Sequence, residues 1–281
     1  MENYFYAVSM DDLCNLILHG KTKEIEKLDL SEIDFLKLPK DEKGNQIYIF
    51  SKTYFPKLKE IRYINNESFD IEENTFENSN IEKAIISVKE LHPNLFLNAK
   101  NLKKVILDDL VKIDISAFAG TSVEEISIPT SCQELNISDF NLLPNLKKLN
   151  FSDSIDNLTI HWHDIFETKE NLTKKANAIF EIFGEETFLK ISKYDPKIFL
   201  YLSQHNLSKN FYKTIKKNSK NYYIKTLKNE ISISTANRAY DTYKDVLKKI
   251  KQINKDEENK NSYVLKWTPK GSLKIKTTRK E

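Results

Sequence analysis

Between residues 58 and 160 the hydrophobic positions follow one recurring figure: an aliphatic residue, two variable ones, an aliphatic or alanine, one variable, then an apolar residue. Its copies are Leu58/Ile61/Tyr63, Ile81/Ala84/Ile86, Leu102/Val105/Leu107, Val123/Ile126/Ile128 and Leu146/Leu149/Phe151, and their starts lie 23, 21, 21 and 23 residues apart. Alternation over the last three positions is a strand pattern. A unit of this length cannot bury its apolar face alone and must stack on its neighbours, so the spacing predicts a solenoid with one short parallel strand per turn. A second apolar pair recurs between several strands, at Phe69/Ile71, Ile113/Ile115, Leu135/Ile137 and Leu158/Ile160, and a phenylalanine closes the turn at Phe76, Phe96, Phe118 and Phe140.

On either side the pattern changes. Ser9-Met-Asp-Asp12 ahead of Leu13, Leu16, Ile17 and Leu18 reads as a capped amphipathic helix stopped by Gly20, suited to cover the open end of a solenoid. Ile25/Leu28/Leu30 repeats the figure once more, 33 residues before Leu58, with the turn cluster Asp41–Asn45 and an expected short strand Ile47–Phe50 in the insertion. After Ile165 helix spacing takes over. Leu172, Ala176, Ile179, Phe180 and Phe183 share a face ended by Gly184, and Asp195-Pro196 opens a second helix with Ile198, Phe199 and Leu202. Ser208 caps a third bearing Phe211, Tyr212 and Ile215, and the clearest runs from Thr235 to Ile253. The charged run Asp256–Asn261 reads as a linker, and Tyr263–Trp267 with Ser272–Lys276 reads as a β-hairpin. The expected organisation is a capping helix over 1–22, a solenoid over 23–164 and a basic helical domain with a terminal hairpin over 165–281. The helix bearing Ile179, Phe180 and Phe183 is expected to cover the last repeat.

The segments Asn101–Leu107, Ile113-x-Ile115-x-Ala117-Phe118 and Val123-Glu-Glu-Ile-Ser-Ile-Pro129 resemble the BspA-like leucine-rich repeats, over residues 53–160 or so. The Pro after the strand is kept only at Pro129, and Ala84 stands at a core position of the second copy. The resemblance implies an α/β fold, a leucine-rich-repeat solenoid with short parallel strands followed here by mainly α-helical chain. It also implies a binding scaffold for other proteins with no chemistry of its own.

The formal charge of +3 hides two unlike halves: residues 1–164 hold 18 Lys+Arg against 28 Asp+Glu, residues 165–281 hold 26 against 13. Only Arg62, Arg238 and Arg279 among the 44 basic residues are arginine, a lysine bias of the kind an AT-rich genome imposes. Two cysteines, Cys14 and Cys132, supply neither a disulfide framework nor a multi-cysteine zinc site, and read as buried thiols of a reducing compartment. No apolar run approaches the ~18 residues of a membrane span, and the first residues lack the basic and apolar regions of a Sec-type signal. The expected location is cytoplasmic, or a host cell reached without a cleavable signal.

Catalytic patterns are missing. The five glycines form neither G-x-G nor phosphate-loop spacing, and neither cysteine stands in a C-x-D ligase motif. His161-Trp-His163 puts two imidazoles on one side of a final strand, but with His19, His92 and His205 the only others, no metal and no cofactor are assigned. Two surfaces are candidate binding sites. On the outward face of the repeat strands, Ile64, Ile85 and Ile106 form a slanted apolar patch bordered by Glu60, Arg62, Lys83, Lys104 and Asp108, an apolar centre in a charged rim as protein interfaces have. Cross-strand pairs Glu60–Lys83 and Lys104–Glu125 are expected beside it. Lys266, Trp267, Lys270, Lys274 and Lys276 in the hairpin are a candidate anion-binding set, for nucleic acid or an anionic membrane. The primary expectation is a non-enzymatic scaffold for a protein partner, as an effector or an intracellular protein. The alternative is anion binding through residues 165–281.

Overall fold

The computed structural model describes residues 4–35, 38–43, 47–64, 71–137, 142–162, 168–203, 207–229, 232–257, 263–267 and 273–277. The chain divides into two compact units, Met1–Glu167 and Thr168–Glu281.

The first unit begins with a two-residue strand β1 (Phe5–Tyr6) and helix α1 (Met10–Leu18). The Ser9 side chain accepts a hydrogen bond from the Asp12 amide at 3.1 Å. Gly20, at φ 65°, lets Lys21 N return to Leu16 O at 2.9 Å and end the helix. The repeats supply β2 (Lys27–Asp29), β3 (Glu60–Ile64), β4 (Lys83–Ser87), β5 (Glu90–Leu91), β6 (Lys104–Asp108), β7 (Lys112–Asp114), β8 (Glu125–Ile128), β9 (Glu134–Ile137), β10 (Lys148–Phe151) and β11 (Thr159–Trp162). All pair in parallel, in the register that the repeated figure requires, for example Ile61 beside Ala84 and Ala84 beside Val105.

Three features depart from one strand per turn. The second apolar pairs build their own sheet, in the order β11-β9-β7-β5, so the later repeats carry two strands each. The first sheet is not continuous: β1-β2-β3-β4-β6 form one ladder and β10-β8 another, with no ladder between β6 and β8. Third, Ile47–Phe50 is not a strand. Ile49 and Phe50 are both buried, delivered by a turn closed by Ser51 N on Tyr48 O rather than by a strand.

The core is the expected set of aliphatics, with one exception. Leu102, Val123, Ile126 and Ile128 are buried, whereas Val105 and Leu107 are only half-buried. Both sit on β6, the strand with no ladder partner on one side, so solvent reaches that edge. A phenylalanine spine runs along the turns: Phe76 stacks on Phe96 at 5.3 Å and Phe96 on Phe118 at 5.8 Å, while Phe50 and Phe35 extend it towards the N-terminal end. Phe69 and Phe140 lie outside the described residues. Two residues after each spine phenylalanine the backbone turns left-handed, at Asn78 (φ 55°), Asn98 (φ 56°) and Gly120 (φ 69°). Asparagine tolerates this region better than other side chains. At Gly120 a Cβ would lie 2.5 Å from Asn98 Oδ1.

The second unit holds α2 (Lys169–Tyr194), α3 (Ile198–Tyr201), α4 (Lys209–Lys228), α5 (Ile233–Glu257) and the antiparallel hairpin β12 (Tyr263–Trp267) and β13 (Leu273–Thr277). Gly184, at φ 74° and ψ −175°, breaks α2 where the sequence ends a helix, but helix resumes after it because Phe188 and Ile191 supply a second buried face. Asp195-Pro196 opens only the single turn α3. Phe211, from α4, is the hub of an aromatic core with Phe180 at 5.9 Å, Phe188 at 5.7 Å and Phe199 at 6.0 Å. The rest of the expected linker, 258–261, lies outside the described residues, and its start, Asp256 and Glu257, is still α5.

Candidate protein-binding face

In the first sheet the residues between the buried positions form three outward columns. The register aligns Lys27, Glu60, Lys83 and Lys104 in the first. It aligns Asp29, Arg62, Ile85 and Ile106 in the second, and Ile64, Ser87 and Asp108 in the third. Ile85 and Ile106 are therefore direct cross-strand neighbours, and Ile64 stands one column away.

Surroundings differ along the face. Glu60 is only 7% exposed. Its carboxylate accepts from Tyr4 Oη at 2.6 Å and from Lys83 Nζ, and Lys27 Nζ lies 3.1 Å away. Burial alone would raise its pKa, but the hydrogen bonds from Lys83, Tyr4 and Lys27 together outweigh it and hold the group at about 2. The Tyr4 ring also receives Lys27 at 5.6 Å and Arg62 at 6.0 Å. Arg62 Nε lies 3.7 Å from the buried Asp29. The Tyr4 side chain thus overlies the N-terminal end of the face while β1 extends the sheet beside β2, which the sequence pattern did not suggest; Tyr4-Phe-Tyr6 is aromatic and strand-favouring, and that is the only signal it gives.

Towards β6 the face opens. Ile64, Lys83 and Ile85 are half-buried, Lys104 and Asp108 are exposed, and Ile106 is 39% exposed. Tyr48, from the insertion, is itself exposed and lies by Glu77, so it does not roof the isoleucines. Glu60–Lys83 pairs as expected. Glu125 instead pairs across the other ladder, with Lys148 at 3.7 Å, and accepts from Asn150, because Lys104 and Glu125 stand on the two sides of the ladder break.

On the second sheet Lys112 meets Glu90, and Glu134 Oε2 lies 3.7 Å from His161 Nε2. His161 is exposed between half-buried Ile160 and Trp162, and His163 lies outside the described residues. Among the described residues no group of three or more His, Cys, Asp or Glu is gathered as metal ligands would be. Both cysteines are free; burial pushes the Cys132 thiol up to about 12 and raises Cys14 too, with help from Asp11, so neither is primed as a nucleophile. Among the described residues, Lys249 is the lysine whose pKa falls far, to about 8, through burial first and Lys169 second. A lysine of that kind suggests catalysis, yet its ammonium donates to the carbonyls of Phe199, Leu200 and Leu202 at 2.6, 2.7 and 2.6 Å. Its three protons are committed to closing the end of α3.

The hairpin candidates divide. Lys266 and Lys274 are register partners, as are Trp267 with Leu273 and Val264 with Lys276, while Lys270 lies outside the described residues. No described helix is long and apolar enough to cross a membrane.

Stacked parallel strands with aliphatic ladders inside define the class, a leucine-rich-repeat solenoid, here followed by a helical unit. The chain belongs to the BspA type leucine rich repeat region family, whose model matches it in six copies over residues 25–147 and 111–239. The second of those matches runs past the last strand into α2, α3, α4 and the start of α5. No curated protein and no solved structure matches the chain.

Proposed function

We propose that the protein is a non-enzymatic scaffold that binds another protein through the outward face of β3, β4 and β6. The observation that carries this reading is the adjacency of Ile85 and Ile106 on a sheet surface without a roof from the insertion, with Lys83, Lys104, Arg62 and Asp108 around them and Ile64 extending the patch. An aliphatic pair, Ile106 exposed and Ile85 half-buried, inside a charged rim has the anatomy of a small binding hot spot. Glu60 belongs to the support of the site, since its carboxylate is spent on Tyr4, Lys27 and Lys83. The test is capture by the intact chain compared with capture by an Ile85→Ser/Ile106→Lys double variant. A partner retained by the first and lost by the second, with the melting temperature nearly unchanged, supports the reading. A variant that loses about 2 kcal/mol or more per residue shows instead that the two isoleucines are core.

A further inference from the structure

We propose that α4 is a docking face for an anionic bilayer surface, with Lys213, Lys217 and Lys220 on the headgroups and the aliphatics at the end of α4 and the start of α5 in the interface. The chain as a whole carries 44 basic and 41 acidic residues, yet none of the acidic ones falls within the twenty residues of α4, which hold seven lysines. Lysine bias in the genome can enrich lysine; it does not empty a helix of carboxylates. Phe211, Ile215 and Thr226 bury the inner face of α4. Successive residues turn by about 100°, so Lys213, Lys217, Lys220, Ile224 and Leu227 fall on the opposite side, and all five are exposed. No described carboxylate forms an ion pair with Lys213, Lys217 or Lys220. The helical spacing of these lysines was readable from sequence, but their outward direction was not.

The same stripe then changes character. Ile224 is 36% exposed and Leu227 50%, and Ile233, at the start of α5, is 81% exposed. Lys225 and Lys228 flank these aliphatics. Lysines leading to protruding aliphatics match the two layers of a bilayer interface, charged headgroups and then acyl chains. A nucleic acid would meet the lysines but has no use for the aliphatics, and arginine, the residue of base-edge contact, is missing from α4. Asp241 and Asp245 are exposed on α5, so the acid-free surface is that of α4.

Sedimentation of the full chain with vesicles of phosphatidylcholine, alone or with one-third phosphatidylserine, tests the proposal. The chain should follow the anionic vesicles only, and less so as salt rises. Replacing Lys213, Lys217 and Lys220 together by Gln should weaken partition about a hundredfold, at about fivefold per lysine. A Leu227→Ser/Ile233→Ser variant should weaken it about tenfold with the thermal melt unchanged. Equal retention on neutral and anionic vesicles, or none on either, overturns the proposal. So does binding to single-stranded DNA that the glutamine variant loses and the serine variant keeps, in the absence of vesicle binding.

Discussion

β3 and β6 lie in one sheet with a single strand between them, carry the same repeated figure and hold their outward residues in the same register, yet they meet different surroundings. At β3 the first-column residue Glu60 is buried under Tyr4 between two lysines, and the core positions Ile61 and Tyr63 are fully enclosed. At β6 the residue in that column, Lys104, is exposed, and Val105 and Leu107 are only half-buried. The repeat sets which way each side chain points. What covers it is set by chain from outside the repeat, at one end by Tyr4, and by whether the ladder continues. Sites on such a scaffold therefore open where the cover stops, not where the pattern changes.

The comparison can be broken most directly in the core. Ile61→Ala should cost about 3 kcal/mol and Val105→Ala about 1 kcal/mol in urea denaturation, since the second site is already partly wet. A Val105→Ala loss of about 2 kcal/mol or more, in proportion to its smaller side chain, would mean that β6 is as closed as β3. Next comes Glu60→Ala, which strands Lys27 and Lys83 and should cost about 2 kcal/mol. Combined with Tyr4→Phe it should fall short of additivity by about 1 kcal/mol if the two act as one network. Acid titration of stability sharpens the point. The folded pKa of Glu60 lies below its ordinary value of 4.5, at about 2, so its contribution is complete above pH 4.5 and is lost as pH falls towards 2. The Glu60→Ala chain should lack that part of the acid slope. The smallest effect is expected at Lys104→Ala, within about 0.5 kcal/mol, although Lys104 occupies the same column as Glu60.

Much of the first unit was legible because its signals are local and repeated. The spine of Phe76, Phe96 and Phe118 and the strand registers follow from a period that five copies confirm among themselves. What the pattern missed is short or distant. β1 and β5 are two residues each, too short for alternation to register. Tyr4 reaches Glu60 across 56 positions, so no window along the chain could join them. Val105 looked like any other core aliphatic because the break between β6 and β8 is not written in either strand. In the second unit the cap at Ser208 and the buried stripe of α5 follow ordinary helix chemistry, while the Thr168 cap of α2 was not picked out. Gly184 does end a helical run, but a glycine marks a change of conformation without saying that helix resumes after it.

The ladder break also has a mechanical meaning. Backbone bonds still join the β6 and β8 repeats elsewhere, at Gln133 N to Val111 O, Glu134 N to Val111 O and Gly120 N to Leu142 O, and β7 remains zipped to β9. The second wall thus keeps its ladder across this joint, while the first is held by Ser122 N on Leu102 O at 3.0 Å, just ahead of the two strands. Bending that widens the first sheet would load that bond first and leave the opposite wall as the strap. Under load the curvature of this molecule should change there before any strand is pulled free.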